Sequence, residues 1–73
     1  MDKIFVDALR LAIESGQISI SMVQRRFSVG YARAGKLIDE MEKMGFVSPF
    51  EGSKPRKVLL TMDEFNQRFG GDL

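Results

Sequence analysis

The chain has 73 residues, enough for one small domain over 1–73 but not for two hydrophobic cores. It contains no cysteine and no histidine, which excludes disulfides and the usual zinc ligands. No apolar run approaches the roughly 20 residues of a membrane-spanning helix, and the first residues do not resemble a signal peptide. We therefore expect a cytoplasmic domain stabilised by the packing of aliphatic, phenylalanine and methionine side chains.

The net charge is only +1, but the basic residues are concentrated in the middle of the chain. Residues 17–58 hold eight Lys and Arg against four Asp and Glu, whereas the two ends together hold three against six. A basic region of this kind is typical of a protein that binds a polyanion such as nucleic acid. An ordinary solvated surface is the alternative, and the charge distribution alone does not choose between them.

The N-terminal part of the chain predicts a helix followed by a short strand. Apolar residues recur at helical spacing, so we expect a helix that Asp2 caps and that runs to about Ser15. Gly16 suits the left-handed position that commonly follows a helix. Residues 18–20 are β-branched at both ends and favour a minor strand.

Two further helices are predicted next, joined by a tight turn. Ser19 is a good cap for a helix over 20–26, and Gly30 is an acceptable cap for a longer one over 31–44. Gly45 would end the longer helix, with Phe46 folding back onto Met41. The predicted core side of the longer helix is a narrow apolar stripe formed by Ala34, Leu37, Ile38, Met41 and Met44.

The remaining residues predict a hairpin and a last helix. Short strands are expected at 46–48 and 58–60, paired with each other around a polar loop whose tip is basic. Thr61 and Glu64 have the spacing of a capping box, so a final helix should begin there, with Gly70-Gly71 ending it. This order predicts an α+β, mostly α, winged helix-turn-helix: a three-helix core, a small β-hairpin wing and a C-terminal helix.

The helix that begins at Tyr31 is the first candidate DNA-binding element. Its outer face carries Ala32, Arg33, Lys36 and Asp39. Lys and Arg side chains read guanine in the major groove, and a carboxylate can accept from cytosine. Small residues at 32 and 35 would allow a close approach to the groove. The alternative is a solvated charged surface.

Two more basic segments would contact DNA phosphates. The wing holds Lys54, Arg56 and Lys57, and a flexible basic loop can bind the backbone without reading sequence. The helix before the turn offers Gln24, Arg25 and Arg26. An arginine of this pair is equally suited to an ion pair with Asp39 or Glu40 that would stabilise the domain.

Catalysis finds little support in the sequence. There is no nucleophile paired with His or Cys, and no glycine-rich phosphate-binding loop of the GxxxxGK[ST] kind. We therefore expect a binding domain that is not an enzyme and uses neither a cofactor nor a metal.

Several separated blocks of the sequence are similar to the C-terminal gamma domain of the FtsK/SpoIIIE family of DNA translocases. The blocks are Gln24-Arg25-Arg26-Phe27, Gly30-Tyr31, Arg33-Ala34, Leu37-Ile38-Asp39 and Glu51-Gly52-Ser53-Lys54-Pro55-Arg56. The likeness extends from about Phe5 to Phe69. It implies a winged helix at the end of a hexameric motor whose parent protein is tethered to the inner or cell membrane.

The resemblance also implies a function. Gamma domains of this family bind short, polar, guanine-rich octamers, three domains side by side, and so orient the motor during chromosome segregation, cell division or sporulation. Some also contact a Xer recombinase. Base reading would fall on Ala32, Lys36 and Asp39, and backbone contacts on Arg33, on the Arg25–Arg26 pair and on the wing. This chain departs from the family where Ala32 replaces the frequent Asn or Thr, Lys36 the usual Arg and Gly35 the usual Ala.

Two other functions remain open at this point. A free-standing winged-helix transcription regulator would be a dimer on a palindromic site, yet the sequence offers no dimerisation helix and we expect a monomer. A winged helix that contacts only protein, such as a Xer-type recombinase, would have Arg33 and Lys36 in intramolecular ion pairs and would show no salt-dependent DNA binding.

Overall fold

The computed structural model describes residues 2–70 of the chain. These residues form four helices and one small antiparallel sheet. In chain order the elements are α1 (Phe5–Ser15), β1 (Gln17–Ile18), α2 (Ile20–Phe27), α3 (Tyr31–Lys43), β2 (Arg56–Lys57) and α4 (Met62–Phe69).

The ends of α1 and α2 follow from their flanking residues. Asp2 accepts the Ile4 N–H through Oδ1 at 3.0 Å, but the N-cap position belongs to Ile4, so Asp2 supports the entry to α1 from two residues further out. Gly16 ends α1 in the left-handed conformation, with φ of 80°, as expected. Ser19 caps α2 by accepting the Met22 N–H at 3.2 Å, also as expected.

Helix α3 begins and ends nearly as predicted. Gly30 is its extended N-cap, and the helix closes in a Schellman motif around Gly45, whose φ is 79°. The Phe46 N–H donates to the Met41 carbonyl at 2.8 Å, which confirms the predicted fold-back. The predicted stripe fails only at its last member, because α3 stops at Lys43 and the side chain of Met44 is exposed.

The core lies where α1, α2 and α3 meet. All three helices contribute side chains that are almost completely buried, and so does the chain around the sheet. The buried apolar residues are Phe5, Ala8, Leu9, Leu11, Ala12, Ile18, Val23, Ala34, Leu37, Ile38, Met41, Phe46, Val47, Leu60 and Phe65.

The predicted hairpin is present as one antiparallel bridge with flanking hydrogen bonds, and the sheet adds a strand pairing that the sequence does not predict. β1 pairs with β2 in the register Gln17 with Lys57 and Ile18 with Arg56, and Val58 forms an antiparallel bridge with Val47. Thus the chain around 56–59 lies between two neighbours, 17–18 on one side and 46–48 on the other. The predicted strand at 18–20 is displaced because Ser19 serves as the cap of α2, which makes Ile20 helical.

Helix α4 closes the domain against α1. Its capping box is present: the Thr61 hydroxyl accepts the Glu64 N–H at 3.1 Å, and the Glu64 carboxylate accepts the Thr61 N–H at 2.9 Å. Phe65 is buried, and the Phe69 ring lies 5.4 Å from that of Phe65. Gly70 is the C-cap, while Gly71, the second predicted stop residue, lies outside the described residues.

The architecture is therefore the predicted winged helix-turn-helix, with residues 49–55 as the loop of the wing. None of the helices described over residues 2–70 is long and apolar enough to cross a membrane.

Candidate nucleic-acid interface

The outer face of α3 presents the three predicted base-reading residues together. Ala32, Lys36 and Asp39 are all exposed, and their spacing of four and three residues places them along one side of the helix. The opposite side is the buried stripe that starts at Ala34. Neither Lys36 nor Asp39 forms an ion pair with another residue of the range 2–70. These two side chains are therefore available to an external partner.

Arg33, one position along the same helix, has an intramolecular partner. Its Nε donates to Oδ2 of Asp2 at 2.8 Å and its Nη2 donates to Oδ1 at 2.7 Å. This two-pronged pairing holds the pKa of the Asp2 carboxyl well below its usual range, with the Ile4 N–H as a further cause, and raises the pKa of Arg33. The guanidinium is half exposed, so it remains within reach of solvent and of solutes.

Helix α2 packs against α3 and leaves its basic C-terminal half on the surface. Arg25 and Arg26 are exposed and Gln24 is half-buried. In the part of the chain that the structure describes, neither arginine pairs with an acidic residue, so the alternative role as an ion pair with Asp39 or Glu40 is not observed. The two side chains instead extend the basic surface beside α3.

Gly35 does not lie where a close approach to DNA would require it. A Cβ built on Gly35 would meet Cδ1 of Ile20, on α2, at 3.8 Å. The small residue therefore lies at the junction of the two helices. The expectation that Gly35 opens the outer face of α3 to a groove is wrong for this reason, whereas Ala32 does lie on that face.

The wing region carries two exposed lysines, one in the loop and one in strand β2. Lys54 follows a tight turn in which its N–H donates to the Glu51 carbonyl at 3.3 Å, and Gly52 supplies the positive φ of 64° that the turn uses. Lys57 belongs to β2, where its N–H donates to the Ser48 hydroxyl at 2.9 Å. The second lysine is thus held by the sheet, and only the first lies on the loop.

Arg56, predicted as part of an exposed basic tip, lies inside the fold. It is 8% exposed, and its Nη1 donates to Oε1 of Glu42 at 2.8 Å and to the Ser48 carbonyl at 3.0 Å. Its Cζ lies 5.5 Å from the centroid of the Phe50 ring. The side chain therefore ties the wing to the last turn of α3 because it bonds to both segments.

The basic middle of the chain remains largely unpaired after these contacts are taken into account. Of the eight Lys and Arg in residues 17–58, only Arg33 and Arg56 form ion pairs within the described range. The six others are exposed cations: Arg25, Arg26, Lys36, Lys43, Lys54 and Lys57. They lie on α2, α3 and the wing, which are the elements that a winged helix presents to a duplex.

The chain matches the family model described as the Ftsk gamma domain over residues 1–61. It belongs to the FtsK gamma domain family. The match includes α2, α3 and the whole wing, and it ends immediately before α4.

Curated relatives agree with the assignment to the gamma domain. The chain is 58% identical over 59 residues to the DNA translocase FtsK of Halalkalibacterium halodurans, which covers 81% of this chain and 8% of the relative. It is 47% identical over 66 residues to the DNA translocase SpoIIIE of Bacillus subtilis, covering 90% of this chain and 8% of the relative. The chain thus spans less than a tenth of the length of these translocases.

Three side chains around this gamma domain surface were not predicted as functional. The sequence predicts Asp2 only as a helix cap and predicts no contact for Glu42 or Phe50. The one local signal in the sequence is that Phe50 is an aromatic residue within a polar, basic loop. The partners of Arg33 and Arg56 lie 31 and 14 residues away in the chain, so no local pattern identified them.

Proposed function

We propose that this chain is a sequence-specific double-stranded DNA-binding domain of a bacterial chromosome translocase. It would read short, polar, guanine-rich sequences and so orient the motor during chromosome segregation and cell division or sporulation. The observation that carries the proposal is that Lys36 and Asp39 are exposed on the outer face of α3 and form no ion pair within residues 2–70. Cations that are likewise unpaired within that range lie on both flanks.

Base reading in this proposal is the work of α3 in the major groove. Lys36 donates to O6 and N7 of guanine, and Asp39 accepts from N4 of cytosine. The methyl group of Ala32 lets the helix approach closely but donates no hydrogen bond. Because an ammonium lacks the planar fork of a guanidinium, Lys36 discriminates guanine less sharply than an arginine would.

Phosphate contacts would fix the domain on the duplex. Arg25 and Arg26, with the amide of Gln24 beside them, face one stretch of backbone, and Lys54 and Lys57 of the wing face another. The first turn of α3 at Tyr31 adds the partial positive charge of a helix N-terminus.

The two paired arginines would act differently from the free cations. Arg33 already gives its Nε and one Nη2 proton to Asp2, so a phosphate would meet only its remaining N–H groups and a charge that is already paired. Arg56 is already bonded to Glu42 and Ser48, so its contribution would be to hold the wing in position.

The motor itself would lie in other parts of the parent translocase, since this chain covers so little of its relatives' length. The domain would therefore supply recognition without catalysis, as a monomer when isolated. In the parent it would be carried by the motor hexamer, three copies would share one octamer, and a Xer recombinase is a further proposed partner.

Fluorescent duplexes test the proposal directly. The domain is titrated with a duplex carrying a GGGNAGGG-type octamer and with a base-scrambled duplex, at two salt concentrations. We expect tighter binding to the octamer, in steps that approach three domains per site, and a loss of affinity at higher salt. Equal, weak binding to both duplexes would remove the sequence-specific part of the proposal.

Two variants separate base reading from backbone binding. Lys36→Ala should lower the affinity for the octamer more than for the scrambled duplex, whereas Lys54→Ala should lower both by the same factor. An equal loss on both duplexes for Lys36→Ala would refute the base-reading role of that residue.

The Arg33–Asp2 pair gives some support to a second function, a winged helix that contacts only protein. Lys36 argues against it, because that function predicts ion pairs for both Arg33 and Lys36, and Lys36 has none within residues 2–70. If the domain binds no duplex at any salt concentration, a protein partner becomes the better proposal. A dimer in light scattering without DNA would instead favour a free-standing regulator.

A further inference from the structure

Two large apolar side chains are exposed close to the wing: Tyr31 on the first turn of α3 and Phe50 on the wing loop. Tyr31 is 69% and Phe50 is 67% exposed, the highest values among the large apolar residues that the structure describes. Both line the same groove, which runs between the start of α2, the first turn of α3 and the wing. An exposed aromatic pair in one groove is a feature that ligand contact would explain.

Phe50 is exposed but not free to adopt any orientation. The guanidinium of Arg56 lies against its ring, at 5.5 Å from the centroid, and Arg56 is itself bonded to Glu42 on α3. The ring is therefore held in place from one side and open to solvent on the other. A side chain oriented in advance loses less conformational freedom when a ligand binds.

The groove combines apolar walls with groups that favour an anion. Besides the two rings, Ser19, Ser21 and Lys54 line it with hydroxyl and ammonium groups, and none of its lining residues carries a carboxylate. The Ser19 hydroxyl already caps α2 and lies 3.3 Å from that of Ser21. A ligand that alternates apolar and anionic groups would match this surface.

We propose that this groove binds the sugar–phosphate backbone of one strand of duplex DNA, with Phe50 and Tyr31 packed against deoxyribose and Lys54 against the adjoining phosphate. The inference rests on the proposed function, because α3 in the major groove and the wing beside it leave one backbone strand to pass between them. It adds Phe50 as a DNA contact that is apolar and independent of base identity.

The test substitutes Phe50 and compares it with a matched control. Phe50→Ser removes the ring, and Leu59→Ser removes another exposed apolar side chain, 57% exposed, that does not line the groove. Both changes are on the surface, so both variants should keep the far-ultraviolet circular dichroism of the unsubstituted domain. Affinities are measured on the octamer and scrambled duplexes over a range of salt concentrations.

Phe50→Ser should weaken binding to both duplexes by the same factor, about five- to tenfold, since a packed apolar side chain contributes on that order. Leu59→Ser should leave both affinities unchanged. The slope of log affinity against log salt should stay the same for Phe50→Ser but fall by about one for Lys54→Ala, because only the lysine displaces a counterion. Phe50→Leu should retain part of the affinity.

Four results would overturn the inference. If the unsubstituted domain binds duplex and Phe50→Ser binds it equally well, the groove assignment fails while the proposed function stands. If Phe50→Ser flattens the salt slope, Phe50 acts by positioning cations and not by contacting sugar. If the domain prefers single-stranded DNA and only Phe50→Ser abolishes that preference, the ring stacks on a base. Failure of the unsubstituted domain to bind any duplex removes both proposals.

Discussion

The carboxylate of Asp2 and the guanidinium of Arg33 form a two-pronged ion pair, with both N–O distances below 2.9 Å. The pair links the segment before α1 to the first turn of α3. It places an internal anion at the edge of the surface that we propose for DNA. The carboxylate thus pairs the charge of Arg33 and uses two of its five N–H donors, so Asp2 and a phosphate should compete for this guanidinium.

Asp2→Asn is expected to strengthen DNA binding. The amide keeps the shape of the side chain but no longer pairs the charge of Arg33, so the whole guanidinium charge is available to a phosphate. We expect a gain of about two- to fivefold on octamer and scrambled duplexes alike, the range of an exposed ion pair. Asp7→Asn, which removes the exposed partner of Arg10 on α1, is the control and should change neither affinity. A weaker affinity in Asp2→Asn would contradict the competition.

The same pair predicts a dependence of stability on pH. Arg33 lowers the pKa of Asp2 below the ordinary carboxyl value of about 4. The pair therefore stabilises the folded domain fully at pH values above this ordinary pKa. The stabilisation is lost as the pH falls from there through the lowered pKa of Asp2. The difference in free energy of unfolding between the unsubstituted domain and Asp2→Asn should therefore be constant from neutral pH to about 5 and should shrink below about 4. Urea denaturation over this range measures it. If this difference in free energy of unfolding grew as the pH fell, the predicted direction of the pH dependence would be wrong.

Gly35→Ala is expected to stabilise the domain. A glycine inside a helix costs about 0.5–1 kcal/mol relative to alanine. At this position the added methyl group would meet only Cδ1 of Ile20, at an ordinary contact distance of 3.8 Å. We expect a gain of about 0.5–1 kcal/mol in urea denaturation, with no change in affinity for either duplex because the methyl group faces α2. A loss of stability would mean that α2 and α3 cannot accommodate the methyl group.

The residues that the sequence predicted well are those whose structure is decided locally. Ser19, Gly30 and Thr61 cap helices because each bonds or positions backbone within a few residues, and Gly16 and Gly45 end helices through their own backbone conformation. The face of α3 follows from helical periodicity alone. These features therefore needed no knowledge of the tertiary fold.

The features that the sequence did not predict depend on contacts between distant segments. Lys57 pairs with Gln17 across 40 positions, which no hairpin pattern indicates, so the β1–β2 pairing is not predicted, whereas the contact of 46–48 with 57–59 is. Arg56 is bonded to Glu42 although its neighbours in the chain are exposed lysine and proline. A basic side chain in a polar loop is usually solvated, and only the folded position of α3 reveals its partner.

The Glu42–Arg56 contact is expected to support the wing. Glu42→Ala leaves a guanidinium that is nine-tenths buried without its carboxylate, which should cost about 1–2 kcal/mol, less than for a fully buried pair because Glu42 is 40% exposed. Hydrogen exchange of the backbone amides of β2 should be accelerated by Glu42→Ala more than that of α1, because the wing loses its ion pair with α3. Glu40→Ala, an exposed residue of α3 without an ion pair in the range 2–70, is the control. Equal exchange in both variants would contradict the role.

Helix α4 lies beyond the family-model match, which ends at residue 61, yet it completes the core of this domain. Phe65 is 2% exposed, its ring lies under the guanidinium of Arg10 at 5.2 Å, and Phe69 extends the contact to Phe5 at 6.5 Å. Phe65→Ala should therefore cost about 3–5 kcal/mol in free energy of unfolding, which is large for a domain of this size.

Phe65→Ala is expected to lower the stability of the domain without lowering its affinity for DNA. Since α4 packs on α1 and carries none of the proposed DNA contacts, Phe65→Ala should bind both duplexes with unchanged affinity at any temperature at which it is still folded. Asn66→Ala, exposed on the same helix, controls for a change of α4 that removes no core packing. Thermal denaturation and duplex titration at low temperature are measured on both variants. If Phe65→Ala lost affinity while its circular dichroism stayed intact, α4 would have to act on the DNA-binding surface and not only on the core.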